Sequence, residues 1–239
     1  MTMGSELEPV HRVAVYWAPA PDSAWWQAGS QWLGRCAATA LPLPQPVVEG
    51  VEALEFARLT AAPRRYGWHA TLKAPFRLAS GHDLAALLAA LQRVAGRHRA
   101  FALGPLQVCE LDGFLALRPL HTAPELLQLE ADCVQSLQPL AAALSAAELL
   151  RRRRAGLDAE QEALLQAWGY PWVLQQFRFH LSLSGPLERL LPQQRQALRA
   201  AAMRQFHALV PCRIDRLSVF VEPASGADFK LLHQLQLQP

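Results

Sequence analysis

The 239-residue sequence has no cysteine pair at CxxC spacing; Cys36, Cys109, Cys133 and Cys212 are scattered singly. They read as reduced, mostly buried thiols rather than a zinc or redox motif. The eight histidines include no HxH or HExxH pattern and no clustered aspartate partner, so a histidine metal site lacks its signature. Charge is sparse, with 18% charged residues and a net charge of +3. Such a mild excess favours a small anionic ligand over long nucleic acid, which calls for a dense basic surface. The longest charge-free alanine/leucine stretch, Cys133 to Ala147, is broken by glutamine, serine and proline, and is too short and polar for a bilayer. The opening MTMGSELEPVHR lacks the apolar centre of a signal peptide. These absences lead to the expectation of a cytoplasmic monomer with no membrane partner, no metal and no other cofactor.

What is present suits a packed globule: 51% of residues are hydrophobic, in a chain long enough for one large domain or two small lobes. RVAVYWA (12–18) reads as a strand, and Asp22-Ser23 offers an N-cap to a following amphipathic helix. Prolines at 42, 44 and 46 mark a connector, and a short helix at about 51–60 stops before Pro63. A strand at 66–73, a helix at 83–98 and strands at 105–111 and 113–119 follow. Capping-box patterns at Thr122-x-x-Glu125, Ser145-x-x-Glu148 and Asp158-x-x-Gln161 announce a helical stretch ending at Gly169. The second half then runs through a strand at 176–184, a helix at 191–208 and strands at 211–215 and 216–222. Each half therefore reads histidine strand, helix, strand, strand, as an ancient duplication would.

The histidine strands carry the chemistry. Side chains alternate faces along a strand. His69, Thr71 and Lys73 share one face, with Trp68, Ala70 and Leu72 turned to the core. Arg178, His180, Ser182 and Ser184 share a face in the second strand, opposite Phe177, Phe179, Leu181 and Leu183. A row of imidazole, hydroxyl and cation is costly to bury and should line water or a polar ligand. Phosphodiester cleavage needs one proton removed and another delivered, and two histidines titrating near neutrality can do both. A hydroxyl two residues along can bind a phosphoryl oxygen, and Lys73 or Arg178 can stabilise transition-state charge. The scheme calls for no metal. HxS/T alone is a weak motif; the matched places of the two copies strengthen it.

Other residues are candidates on weaker grounds. Arg64, Arg65 and Tyr66 could meet a phosphate or ribose at the cleft mouth, or form a solvated turn. Tyr16 reads as a core or cleft-wall residue. Arg151 to Arg154 spread around a helix and cannot all face one phosphate, although one or two could reach a second phosphate on a substrate. Trp168, Tyr170 and Trp172 read as packing residues, with a base pocket as the alternative.

RRYGWHATLKAPFRL (64–78) and WGYPWVLQQFRFHLSLSGPL (168–187) resemble the two-histidine (2H) phosphoesterase superfamily, and within it the branch whose genes lie beside phosphonate-degradation operons. The resemblance runs from VAVYWAP (13–19) to the end. It implies an α+β, bilobal fold: two antiparallel sheets related by a pseudo-twofold axis, helices outside and a central cleft. Residues 1–239 are then a single bilobal domain, with lobe one at about 12–120, a helical bridge at 122–169 and lobe two at 170–239, strand exchange between lobes being allowed. It implies that His69 and His180 are the acid/base pair and that Thr71 and Ser182 bind phosphate. Lys73, Ser184, Arg178, Tyr66 and Arg65 join them as substrate-binding candidates. The expected activity is hydrolysis of a small cyclic phosphodiester, a cyclic nucleotide or cyclic ribose phosphate, by a metal-independent cyclic phosphodiesterase in phosphonate metabolism. The competing expectation is a non-catalytic module that holds RNA ends or a nucleotide in the same cleft.

Overall fold

The computed structural model describes residues 10–154, 156–209 and 212–239. Its central strand is β1 (Arg12–Trp17), whose residues Val13 to Trp17 are all buried. β1 lies between β2 (Ala70–Phe76) and β8 (Arg216–Glu222), and β9 (Lys230–Gln236) completes an antiparallel four-stranded sheet in the order β2-β1-β8-β9. A three-stranded antiparallel sheet contains β4 (Leu106–Leu111), β5 (Phe114–Pro119) and β6 (Leu181–Pro186). The remaining strands, β3 (Phe101–Gly104) and β7 (Cys212–Ile214), pair with each other. The halves thus exchange strands: β8 and β9 complete the sheet that holds β2, and β6 joins a sheet begun by β4 and β5. Both histidine segments lead into edge strands, β2 and β6. An edge strand leaves one side open for a cleft.

The helices follow local chemistry. Ser23 Oγ accepts from Trp26 N at 3.2 Å to start α1 (Ala24–Leu33), which Gly34 ends in the left-handed region at φ 84°. Two short helices follow, α2 (Ala53–Leu59) and α3 (Ala61–Tyr66), so Pro63 falls within the first turn of a helix instead of after one. α4 (Leu84–Ala95) is capped by Asp83, which accepts from Ala86 N at 2.8 Å. The expected box at Thr122 does not form: Pro124 occupies the first turn of α5 (Pro124–Leu137), which makes Ala123 the cap and leaves Thr122 one residue too early. The boxes at Ser145 and Asp158 do form, opening α6 (Ala146–Arg153) and α7 (Ala159–Trp168). α8 is Pro192–His207. Among the described residues no helix is long and apolar enough to cross a membrane.

The strands around the histidines start later than the alternation suggests. β2 begins at Ala70 and β6 at Leu181, so His69 and His180 each stand immediately before a strand. Beneath them the expected inward faces hold: Trp68, Ala70 and Leu72, and Phe179, Leu181 and Leu183, are all fully or nearly fully buried. Trp32 Nε1 donates to Leu183 O at 2.8 Å and ties α1 to β6. Gly29 lets α1 approach the Trp68 ring, because a Cβ there would stand 2.0 Å from a ring carbon.

Candidate active site

His69 is set by what precedes it. α3 ends at Gly67, whose φ of 81° is open to glycine and strained for other residues. A Cβ at Gly67 would also stand 2.6 Å from Ala37 Cβ. This turn presents the Gly67 carbonyl to His69 Nδ1 at 2.8 Å. A carbonyl only accepts, so Nδ1 carries the hydrogen and Nε2 is left as the basic nitrogen. Thr71 Oγ1 donates to that Nε2 at 3.3 Å. Tyr16 of β1 stacks on the imidazole, with centroids 3.7 Å apart and planes inclined by 25°.

His180 repeats the arrangement in the other sheet. Its Nδ1 donates to the Arg178 carbonyl, again two residues upstream, at 2.7 Å. Its ring meets Phe114 with centroids 5.6 Å apart. Burial, with a smaller contribution from the field of His180, lowers the His69 pKa from 6.5 to about 4 against the opposing Gly67 hydrogen bond. Burial also lowers His180, and the Arg178 and Arg118 charges add to it.

A cavity of about 420 Å³ is lined by His69 and, on the His180 side, by Phe114 and Ser182, whereas the His180 ring itself stands behind that wall. Tyr16, His69 and Thr71 come to its wall from one sheet, and Phe114, Ser182 and Ser184 from the other. Tyr66, Arg12, Arg151, Arg152 and Tyr170 complete the part that bears on chemistry. Arg12 stood out in no sequence pattern. It heads β1 and is held by Glu222, with Arg12 Nε 2.5 Å from Oε2. Of the four-arginine run, Arg151 and Arg152 reach the cavity wall, while Arg153 pairs with Glu162 on α7.

The remaining sequence candidates are placed differently. Lys73 is not on the wall of this cavity. The pairing of β1 with β2 slips by one residue, Tyr16 facing Thr71 but Val15 facing Lys73, and Lys73 is drawn under the end of α5. Arg178 pairs with Asp112 in the β4–β5 turn, Nη2 lying 2.5 Å from Oδ2. Arg65 bonds Glu222 and the Ala227 carbonyl. Arg64 is spent on the Leu33 and Ala57 carbonyls at 2.6 and 2.7 Å. Ser184 borders the cavity, but its hydroxyl accepts from Leu115 N at 2.9 Å and donates to Gly185 O at 2.8 Å, so it serves the backbone. Among the described residues no group of three or more His, Cys, Asp or Glu is placed to hold a metal ion.

Comparison with known proteins adds a family. Two proteins named ribose 1,5-bisphosphate phosphokinase PhnN are similar over most of this chain. That of Janthinobacterium sp. (strain Marseille) is 41% identical over 225 residues, 93% of this chain and 50% of its own length. That of Laribacter hongkongensis (strain HLHK9) is 40% identical over 221 residues, 92% of this chain and 50% of its own length. The chain therefore spans about half the length of the curated relatives it matches. A solved structure of LigT from E. coli complexed with ATP aligns over 97% of this chain and 99% of its own, at 12% identity and a TM-score of 0.45. The model of the family described as protein of unknown function, DUF1045, matches residues 71–230, and it is to this family that the chain belongs.

Proposed function

We propose that this chain is a metal-independent phosphoesterase that opens a small cyclic phosphodiester, with His69 as general base and His180 as general acid. The observation that carries the reading is the repeated anchoring of the two imidazoles. Each donates Nδ1–H to a carbonyl two residues upstream, and each is followed two residues later by a hydroxyl on one shared cavity. An acid and a base held in the same tautomer from two sheets suit in-line displacement at phosphorus, where proton removal and delivery occur on opposite sides.

His69 Nε2 takes a proton from water as its oxygen attacks phosphorus. The P–O bond to the sugar oxygen breaks, and His180, whose charged form the anionic phosphodiester favours against its burial, protonates that oxygen. The assignment follows the His69 pKa of about 4, which keeps that imidazole unprotonated at neutral pH. Ser182 holds a non-bridging oxygen, Thr71 holds another once its hydroxyl turns from His69 Nε2 to the ligand, and Arg151 supplies positive field. Tyr16 fixes the plane of the base.

The substrate is a cyclic nucleotide or cyclic ribose phosphate, and the ribose 1,5-bisphosphate in the names of the curated relatives favours the ribose ester. The phosphokinase named for those proteins is a poor fit to this half, because the sequence holds no GxxxxGK[ST] phosphate loop. A pure binding module for RNA ends or nucleotides would have no use for paired acid and base. Hydrolysis of cyclic ribose and nucleotide esters should persist in EDTA, and His69→Ala and His180→Ala should each lower kcat by about 100-fold or more. Normal turnover by both variants, or activity abolished by chelator and restored by a divalent metal, would sink the mechanism. Tight binding without product would favour the binding module.

A further inference from the structure

We propose that the substrate carries a second phosphoryl group, and that Lys73 and Arg152 receive it in a cavity adjoining the histidine cleft. This rests on the phosphoesterase reading and names its substrate class.

The second cavity measures about 430 Å³ and shares Ala74, Pro75, Arg152 and Tyr170 with the cleft, so the two are neighbours across one wall. Lys73 lies on it and is only 4% exposed. Its ammonium donates to Gln138 Oε1 at 2.9 Å and to Val134 O at 3.3 Å, which leaves one of its three donors over. The Arg152 guanidinium donates to the Gly169 and Pro75 carbonyls and sits over the Tyr170 ring, 5.5 Å from its centroid. All of these acceptors are neutral. Neither cation belongs to an ion pair within 4.0 Å among the described residues.

Burying a charge without a counter-ion is costly, and two cations on one cavity compound the cost. Glu130 is a poor counter-ion. It is turned to Leu174 N at 3.2 and 3.3 Å, and burial raises its pKa to about 7. Lys73 feels the same deficit, its pKa lowered by burial to about 8. An anion in the cavity would relieve both cations. Phe76, Leu165 and Trp168 are apolar parts of a wall that also carries Gln138 and Gln166, and they would strengthen the attraction by limiting water around the cations.

The two cavities flank one stretch of β2, with Thr71 on the cleft and Lys73, two residues along the strand, on the second cavity, so one small bisphosphorylated molecule passing Arg152 would meet both. Arg152, on both walls, would hold the join.

The test uses two esters, a ribose cyclic phosphate with and without a phosphoryl group on C5. The wild-type chain should prefer the phosphorylated ester in kcat/KM. Lys73→Met and Arg152→Gln should each reduce that preference by about 10-fold to 100-fold, mainly through KM. Thermal unfolding shows that each variant is folded, and Arg152→Gln carries the test if Lys73→Met is not. Equal use of both esters by the wild type, or equal losses on both esters in the variants, would overturn the second site and leave the phosphoesterase standing. Turnover of neither ester by the wild type would overturn the underlying reading and the proposal with it.

Discussion

Acid should destabilise this protein through His69 at a pH above the ordinary carboxylate range. The ring is packed under Tyr16, and its pKa falls from 6.5 to about 4. Between those values the unfolded chain binds a proton that the native chain refuses, so stability falls as pH drops through this window. At about 1.36 kcal/mol per pKa unit, the full displacement is worth about 3 kcal/mol between pH 7 and 4. Urea unfolding at pH 7, 5.5 and 4.5 would measure it in the wild type and in His69→Asn, whose amide can still reach the Gly67 carbonyl. Other titrating groups, His180 among them, largely cancel in the comparison. The wild type should lose about 2 kcal/mol more than the variant on going from pH 7 to 4.5. Parallel pH dependences, or an imidazole resonance of His69 that titrates near 6.5, would refute the reasoning.

Two further substitutions test the supports of the site. Gly67→Ala should destabilise the fold by about 2 kcal/mol or more, because it meets both the positive φ and the Ala37 methyl; retention of wild-type stability in chemical denaturation would show that this turn does not constrain His69. Glu222 is fully buried and answers both Arg12 and Arg65. Glu222→Gln should therefore cost about 3 kcal/mol and raise KM by loosening Arg12 at the cleft wall; a change below about 0.5 kcal/mol in urea unfolding would show that the two arginines find other partners.

Much of the site was legible because it is built from local rules. The alternation at Trp68, Ala70 and Leu72, and at Phe179, Leu181 and Leu183, assigned one face to the core and left His69, Thr71, His180 and Ser182 on the other. The caps at Ser23, Ser145 and Asp158 were readable because an N-cap hydrogen bond spans only three residues.

What the tertiary structure decided is how those local pieces combine. No local pattern says that β8 and β9 complete the sheet of β2, since the pairing of Arg12 with Glu222 joins positions 210 apart. Lys73 obeys alternation, yet a one-residue slip against β1 and the end of α5 take it from the cleft to the neighbouring cavity. Arg178 finds Asp112 and Ser184 finds the Leu115 amide, partners that no local pattern names. The sequence by itself determined the two histidine–hydroxyl pairs, because strand periodicity acts over a few residues. Only the fold decided which cations remain uncompensated beside them, because charge pairing depends on neighbours that chain order does not bring together.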